Sequence, residues 1–161
     1  MKKIQFRINI DAPKNKVYDL MLGNSNKLSY EEWAAVFHPT STYEGNWDKG
    51  SKILFIGTDE LGNKFGMVSE IIENIPNKFV SICHRGIIQN GQELTTGTDA
   101  EKWSGGFENY TFEEKNNNTI LIVDLDTPED YFDYFNETYP KALNKLKEIC
   151  EKQLNDFNQN K

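Results

Sequence analysis

Thr127-Pro128-Glu129-Asp130-Tyr131-Phe132-Asp133-Tyr134-Phe135-Asn136-Glu137-Thr138-Tyr139-Pro140-Lys141-Ala142-Leu143-Asn144-Lys145-Leu146 opens the stretch that decides the fold. From Thr127 to about Phe157 large apolar side chains return every three or four positions. They are Phe132, Phe135, Tyr139, Leu143, Leu146, Ile149 or Cys150, Leu154 and Phe157, the period of one buried helical face. Thr127 offers a capping hydroxyl and Pro128 a first-turn proline, while Glu129 and Asp130 stand where a helix dipole favours negative charge. Pro140 lies inside the pattern and predicts a kink or a split. A helix of this kind takes most of its stability from the surface it packs against, so the rest of the chain must supply one.

That surface reads as strands. Ile4, Phe6, Ile8 and Ile10 alternate with Gln5, Arg7 and Asn9, which marks a half-buried first strand. Asp11-Ala12-Pro13 then offers a cap and a first-turn proline for a short helix carrying Val17, Leu20 and Met21, which Gly23-Asn24 stops. A second helical stretch, about Ser25 to Phe37, carries Leu28, Trp33, Val36 and Phe37 and ends at His38-Pro39. From Ser41 to Asp126 apolar runs are cut by turn signals: Thr42–Glu44, Lys52–Thr58, Lys64–Ile75, Lys78–Ile88, Phe107–Glu114 and Thr119–Leu125. The last two form a hairpin around Asn116-Asn117-Asn118. The expectation is an α+β protein: a curved antiparallel sheet of about six or seven strands wrapped around a long C-terminal helix, with two short helices after the first strand. A single domain over residues 1–161 is expected, since no linker or repeat interrupts the pattern.

Composition narrows the function. The 18 basic and 25 acidic residues leave a net charge of −7, which disfavours nucleic acid and anionic membranes, and no basic cluster offsets it. No apolar run reaches the length of a membrane span, and Met1-Lys2-Lys3-Ile4-Gln5-Phe6 lacks the continuous apolar stretch of a secretion signal. Cys83 and Cys150 form neither a CxxC motif nor a disulfide framework. A cytoplasmic protein is expected. His38, His84, Cys83 and Cys150 have no metal-ligand spacing, so no metal is expected. No cofactor is assigned, although an organic ligand would leave no comparable signature. Gly45-Asn46-Trp47-Asp48-Lys49-Gly50-Ser51-Lys52 carries its Lys and Ser in the wrong order for a phosphate loop and is followed by strands. There is no GxSxG elbow and no other catalytic motif.

Several short stretches resemble one family in order along the chain. Ile10-x-Ala12-Pro13 followed by Val17-Tyr18 resembles its first strand-to-helix junction. Trp47-Asp48-Lys49-Gly50-Ser51 resembles its aromatic-then-glycine lead into the next hairpin. Gly66-Met67-Val68-Ser69-Glu70-Ile71 with Pro76, and Trp103-Ser104-Gly105-Gly106-Phe107-Glu108-Asn109-Tyr110-Thr111-Phe112 with Thr119, are similar to its central strand and last hairpin. Pro140-x-Ala142-Leu143-x-x-Leu146-Lys147 is similar to the core of its terminal helix. The family these stretches resemble is the START-like (SRPBCC) superfamily, in the subgroup named after the activator of the ninety-kilodalton heat-shock protein ATPase. The resemblance implies a helix-grip fold, in which the sheet grips the terminal helix and two short helices close one end. It implies no fixed chemistry, because the superfamily includes lipid carriers, hormone receptors, cyclases and co-chaperones.

A sheet curved around a helix tends to leave a cavity between them, and strand alternation assigns its lining. If Tyr110 and Phe112 face the helix, Glu108 does too; Val80 and Ile82 carry His84 to their face; Phe65 and Met67 join from the long strand. Gly86 to Gly106 is the least regular stretch and reads as a lid or binding loop, with Gly91 and Gly97 as hinges and Trp103 at the mouth. The expected ligand-binding residues are Trp33, Phe37, Phe55, Met67, His84, Trp103, Glu108, Tyr110, Phe135 and Tyr139, with no catalytic residue assigned. The rings would contribute area, and His84, Glu108 and the tyrosine hydroxyls would orient a small apolar or amphipathic ligand. Two rival readings are a cyclase- or hydrolase-like enzyme using Glu108 and His84, and a co-chaperone-like interaction module. A homodimer stays open.

Overall fold

The computed structural model describes the backbone of residues 1–159 and the side chains of residues 1–152. Strand β1 (Lys2–Ile10) leads into helices α1 (Lys14–Leu22) and α2 (Leu28–Ala34). Strands β2 (Thr42–Gly45), β3 (Lys52–Thr58), β4 (Lys64–Ile75), β5 (Phe79–Gln89) and β6 (Gln92–Leu94) follow. Helix α3 (Thr98–Trp103), strands β7 (Phe107–Lys115) and β8 (Asn118–Thr127) and helix α4 (Phe132–Gln159) complete the order. The strands form one antiparallel sheet in the order β1-β8-β7-β5-β4-β3-β2, with β6 paired to the far part of β5. It is the expected α+β helix-grip architecture, with eight strands rather than six or seven.

The main core lies between the sheet and α4. Ile10, Ile53, Ile71, Val80, Ile82, Leu121 and Val123 from the strands meet Tyr139, Ala142, Leu143, Leu146 and Cys150 from α4, all fully buried or nearly so. Alternation drives this, since β8 buries every second residue from Thr119 to Thr127. On α4 the expected stripe is in place from Phe135 to Cys150; Leu154 and Phe157 lie outside the described residues. Pro140 does not split the helix, which runs through it from Phe132 to Gln159. The proline and Asn136, whose carbonyl loses its helical donor there, are both exposed, so water can satisfy that carbonyl.

Several local expectations are corrected. Thr127 does not cap α4: its hydroxyl donates to the Pro128 carbonyl at 3.0 Å, and a 3-10 turn over Glu129–Tyr131 precedes the helix. Asp11 does not cap α1 either, because the cap position falls on Pro13, which offers no side-chain acceptor. The second helix is shorter than the Ser25–Phe37 stretch, and Leu28 is 65% exposed while Tyr30 is turned inward. Gly86–Gly106 is largely regular. Asn90 and Gly91, with φ of 51° and 77°, form a two-residue hairpin turn between β5 and β6, and α3 follows. Gly91 is thus a turn residue of a hairpin rather than the hinge of a loop.

Two irregularities in the sheet shape the pocket wall. Opposite Val68 and Ser69, β5 carries one extra residue, Arg85, which reverses the alternation beyond His84. Ile88 is thereby sent to a second small cluster with Ile56 and Val68, while Val80, Ile82 and His84 keep one face. At Gly66, with φ of 146°, an added Cβ would sit 1.9 Å from the Phe55 carbonyl oxygen, so only glycine allows β3 and β4 to approach there.

Candidate functional site

Between the β3–β4–β5–β7 part of the sheet and α4 lies a pocket of about 420 Å³, inside the size range of small-molecule sites. Ten of its 22 lining residues are Phe, Tyr or Trp. The ten residues expected from the sequence all line this pocket. Trp33 and Phe37 come from α2 and the turn after it, Phe55 from β3 and Met67 from β4. His84 comes from β5, Trp103 from the end of α3, Glu108 and Tyr110 from β7, and Phe135 and Tyr139 from α4. Tyr30, Phe65 and Tyr134 line it as well.

The rings hold each other in place. Phe37 lies edge-on to Tyr139 at 5.1 Å between centroids, and Tyr139 stacks on Phe6 at 4.9 Å. Trp103 packs against Tyr131 at 4.8 Å and Phe135 at 6.1 Å, which fixes α3 to the start of α4. Trp33 donates its indole N–H to the Met21 carbonyl at 2.9 Å, so it offers the pocket a ring surface and no free donor. Each such ring pair contributes about 0.5–1.5 kcal/mol beyond its area.

The polar groups converge at one end. Glu108 Oε1 accepts from His84 Nε2 at 3.3 Å, and Glu108 Oε2 accepts from the Tyr110 hydroxyl at 3.2 Å and from the Tyr139 hydroxyl. Behind the imidazole, Ser69 Oγ lies 2.7 Å from His84 Nδ1. The backbone of His84 is clamped too: its N–H donates to the Gly106 carbonyl at 2.9 Å and its carbonyl accepts from Gly105 N–H at 2.8 Å. Burial alone would push the Glu108 carboxyl up. The His84 hydrogen bond and charge, joined by the two tyrosine hydroxyls, outweigh it and hold the carboxyl below its ordinary value. Burial, reinforced by the Glu108 charge, pushes the Tyr110 and Tyr139 phenols well up, so both remain donors.

Chemically, Glu108 Oε1 engages His84 Nε2 on one side of the ring while the Ser69 hydroxyl engages Nδ1 on the other. Serine, histidine and carboxylate thus form a chain, but Ser69 is 1% exposed and does not line the pocket. It fixes the ring of His84 from behind. Parity from Met67 places Ser69 on the inner face, so its role was accessible in principle; nothing in the sequence said that it would meet His84. Tyr30 was masked by a helix expected to turn Leu28 inward. No group of three or more His, Cys, Asp or Glu converges as metal ligands among the described residues.

Fold and pocket together define a helix-grip protein with an aromatic, one-end-polar pocket beside its terminal helix. Known structures share that fold. A solution structure of the Aha1 dimer from Colwellia psychrerythraea is 23% identical, with 94% of this chain and 97% of that one covered and a TM-score of 0.67. A crystal structure of a Mesorhizobium loti protein is 12% identical, covering 94% and 98% with a TM-score of 0.69. CalU16 from Micromonospora echinospora is 14% identical, covering 91% and 73% with a TM-score of 0.62. No family model matches the chain, and no curated protein matches it. The START-like expectation is therefore met at the level of fold. No helix among the described residues is long and apolar enough to cross a membrane.

Proposed function

We propose that the chain is one domain, residues 1–161, that binds a small, largely apolar molecule in the pocket between sheet and α4. The observation that supports it best is the lining itself: ten aromatic rings around about 420 Å³, with Glu108, His84 and the tyrosine hydroxyls gathered at one end. Rings contribute area and a few fixed polar groups contribute orientation, the usual division in ligand sites. An acid–base enzyme is supported less well. All three donors on Glu108 lower its basicity, and Ser69 stands behind His84, away from the pocket. A cytoplasmic setting accords with two buried free cysteines, Cys83 and Cys150.

Native mass spectrometry of freshly purified protein, compared with its denatured mass, tests the proposal. A discrete extra mass supports a bound small molecule and allows its identification. A bare chain mass, together with no response of the pocket residues to apolar probes, overturns it in favour of an interaction module. The Colwellia structure is a dimer, and the same spectrum reads whether this chain pairs as well.

A further inference from the structure

The chemistry of the polar end goes further than apolar binding. Glu108 is held ionised, yet 17% of its side chain stays accessible. A carboxylate offers about four acceptor positions, and His84, Tyr110 and Tyr139 occupy three. No lysine or arginine is among the described residues lining the pocket. The other carboxylate of the lining, Asp126, is engaged outside by Lys3 Nζ at 2.7 Å and by Phe107 N–H at 3.0 Å. Both ring nitrogens of His84 are engaged, Nδ1 by Ser69 Oγ at 2.7 Å and Nε2 by Glu108 Oε1 at 3.3 Å, so the imidazole turns no free donor to the pocket.

A second observation points the same way. Tyr30 is 7% exposed and lines the pocket, and its hydroxyl has no hydrogen-bond partner among the described residues. Its phenol lies near enough to Glu108 that, after burial, the Glu108 charge is the next largest influence pushing it up. The pocket therefore presents one free acceptor position on a carboxylate, one uncommitted tyrosine oxygen, and a wall of aromatic faces. Each of these attracts a positively charged nitrogen.

We propose that the ligand carries a protonated amine, an arylalkylammonium or similar amphipathic organic cation, whose head is held by Glu108 and Tyr30 and whose apolar body lies among the rings. This rests on the pocket reading above and narrows it. A carboxylate-headed ligand would meet the Glu108 charge with no lysine or arginine in the described lining to offset it, and a neutral alcohol would forgo both the ion pair and the attraction to the ring faces.

The test uses tryptamine, tryptophol and indole-3-acetate, which share one ring system and differ in the head group. Each is titrated at neutral pH into the ¹⁵N-labelled full chain, and the amide shifts of Tyr30, Phe55, His84, Glu108 and Tyr139 are followed. Tryptamine is expected to bind at least about ten-fold more tightly than tryptophol, with indole-3-acetate weakest. In Glu108→Gln the tryptamine preference should narrow to less than about three-fold. If tryptophol or indole-3-acetate matches or exceeds tryptamine while moving the same amides, the cation inference falls and the pocket reading stands. If none of the three moves these amides at millimolar concentration, both fall.

Discussion

Glu108 is a carboxylate enclosed by rings, and its cost is met by three donors from three elements: His84 on β5, Tyr110 on β7 and Tyr139 on α4. A carboxyl held below its ordinary value contributes stability above its unfolded value, about 4.3. That contribution is lost as pH falls through the lower folded value. Urea midpoints measured down an acid series should fall more steeply for the wild type than for Glu108→Gln below about pH 4.3. At neutral pH Glu108→Gln should be less stable by about 1–3 kcal/mol, because the tyrosines then face a neutral acceptor. Parallel acid limbs for the two proteins would remove Glu108 from this role. The cysteines give a second test. Burial pushes the Cys150 thiol up to about 12 and the Cys83 thiol up as well. Neither should react with Ellman's reagent at mildly alkaline pH until the protein is unfolded; a fast thiol in the native protein would contradict their burial.

At the scale of elements, the terminal helix and the strand pattern were legible because burial on one face writes a period into the sequence. Helix α4 keeps its register from Phe135 to Cys150, and β8 alternates through Thr127. What misled was local chemistry with two outcomes. Thr127 has a capping side chain but turns it to Pro128, and Asn90-Gly91 inside an apparently irregular stretch makes a tight hairpin turn. Pro140 is the informative case. It is exposed, so Pro140→Ala loses no packing and returns an N–H donor to the Asn136 carbonyl. Stability should rise by roughly 1–3 kcal/mol in urea denaturation. A less stable variant would mean that the proline shapes the helix in a way the packing requires.

At the scale of the whole molecule, a pocket beside the main helix is a region where core packing has been exchanged for space. Occupancy should therefore couple to stability. A ligand present at about a hundred times its Kd adds about 2.7 kcal/mol. For a chain of this size that raises the Tm by roughly 5–10 °C. Protein stripped by unfolding and refolding should melt lower by that amount than protein as purified, and regain the difference when the extract is returned. Identical melting before and after stripping, in protein that carried extra mass, would place that mass outside the pocket.

The amino-acid pattern alone determined the class of fold, the buried face of α4 and of most strands, and ten of the residues that line the pocket. All of these follow from side-chain period, which survives without knowledge of neighbours. Only the tertiary structure decided that Ser69 stands behind His84, that Tyr30 rather than Leu28 turns inward, and that His84, Tyr110 and Tyr139 converge on Glu108. Those facts depend on a bulge at Arg85 and on the meeting of β4, β5, β7, α2 and α4, segments far apart along the chain. Which polar groups end up partnered is set by where distant segments meet, and no local pattern records it.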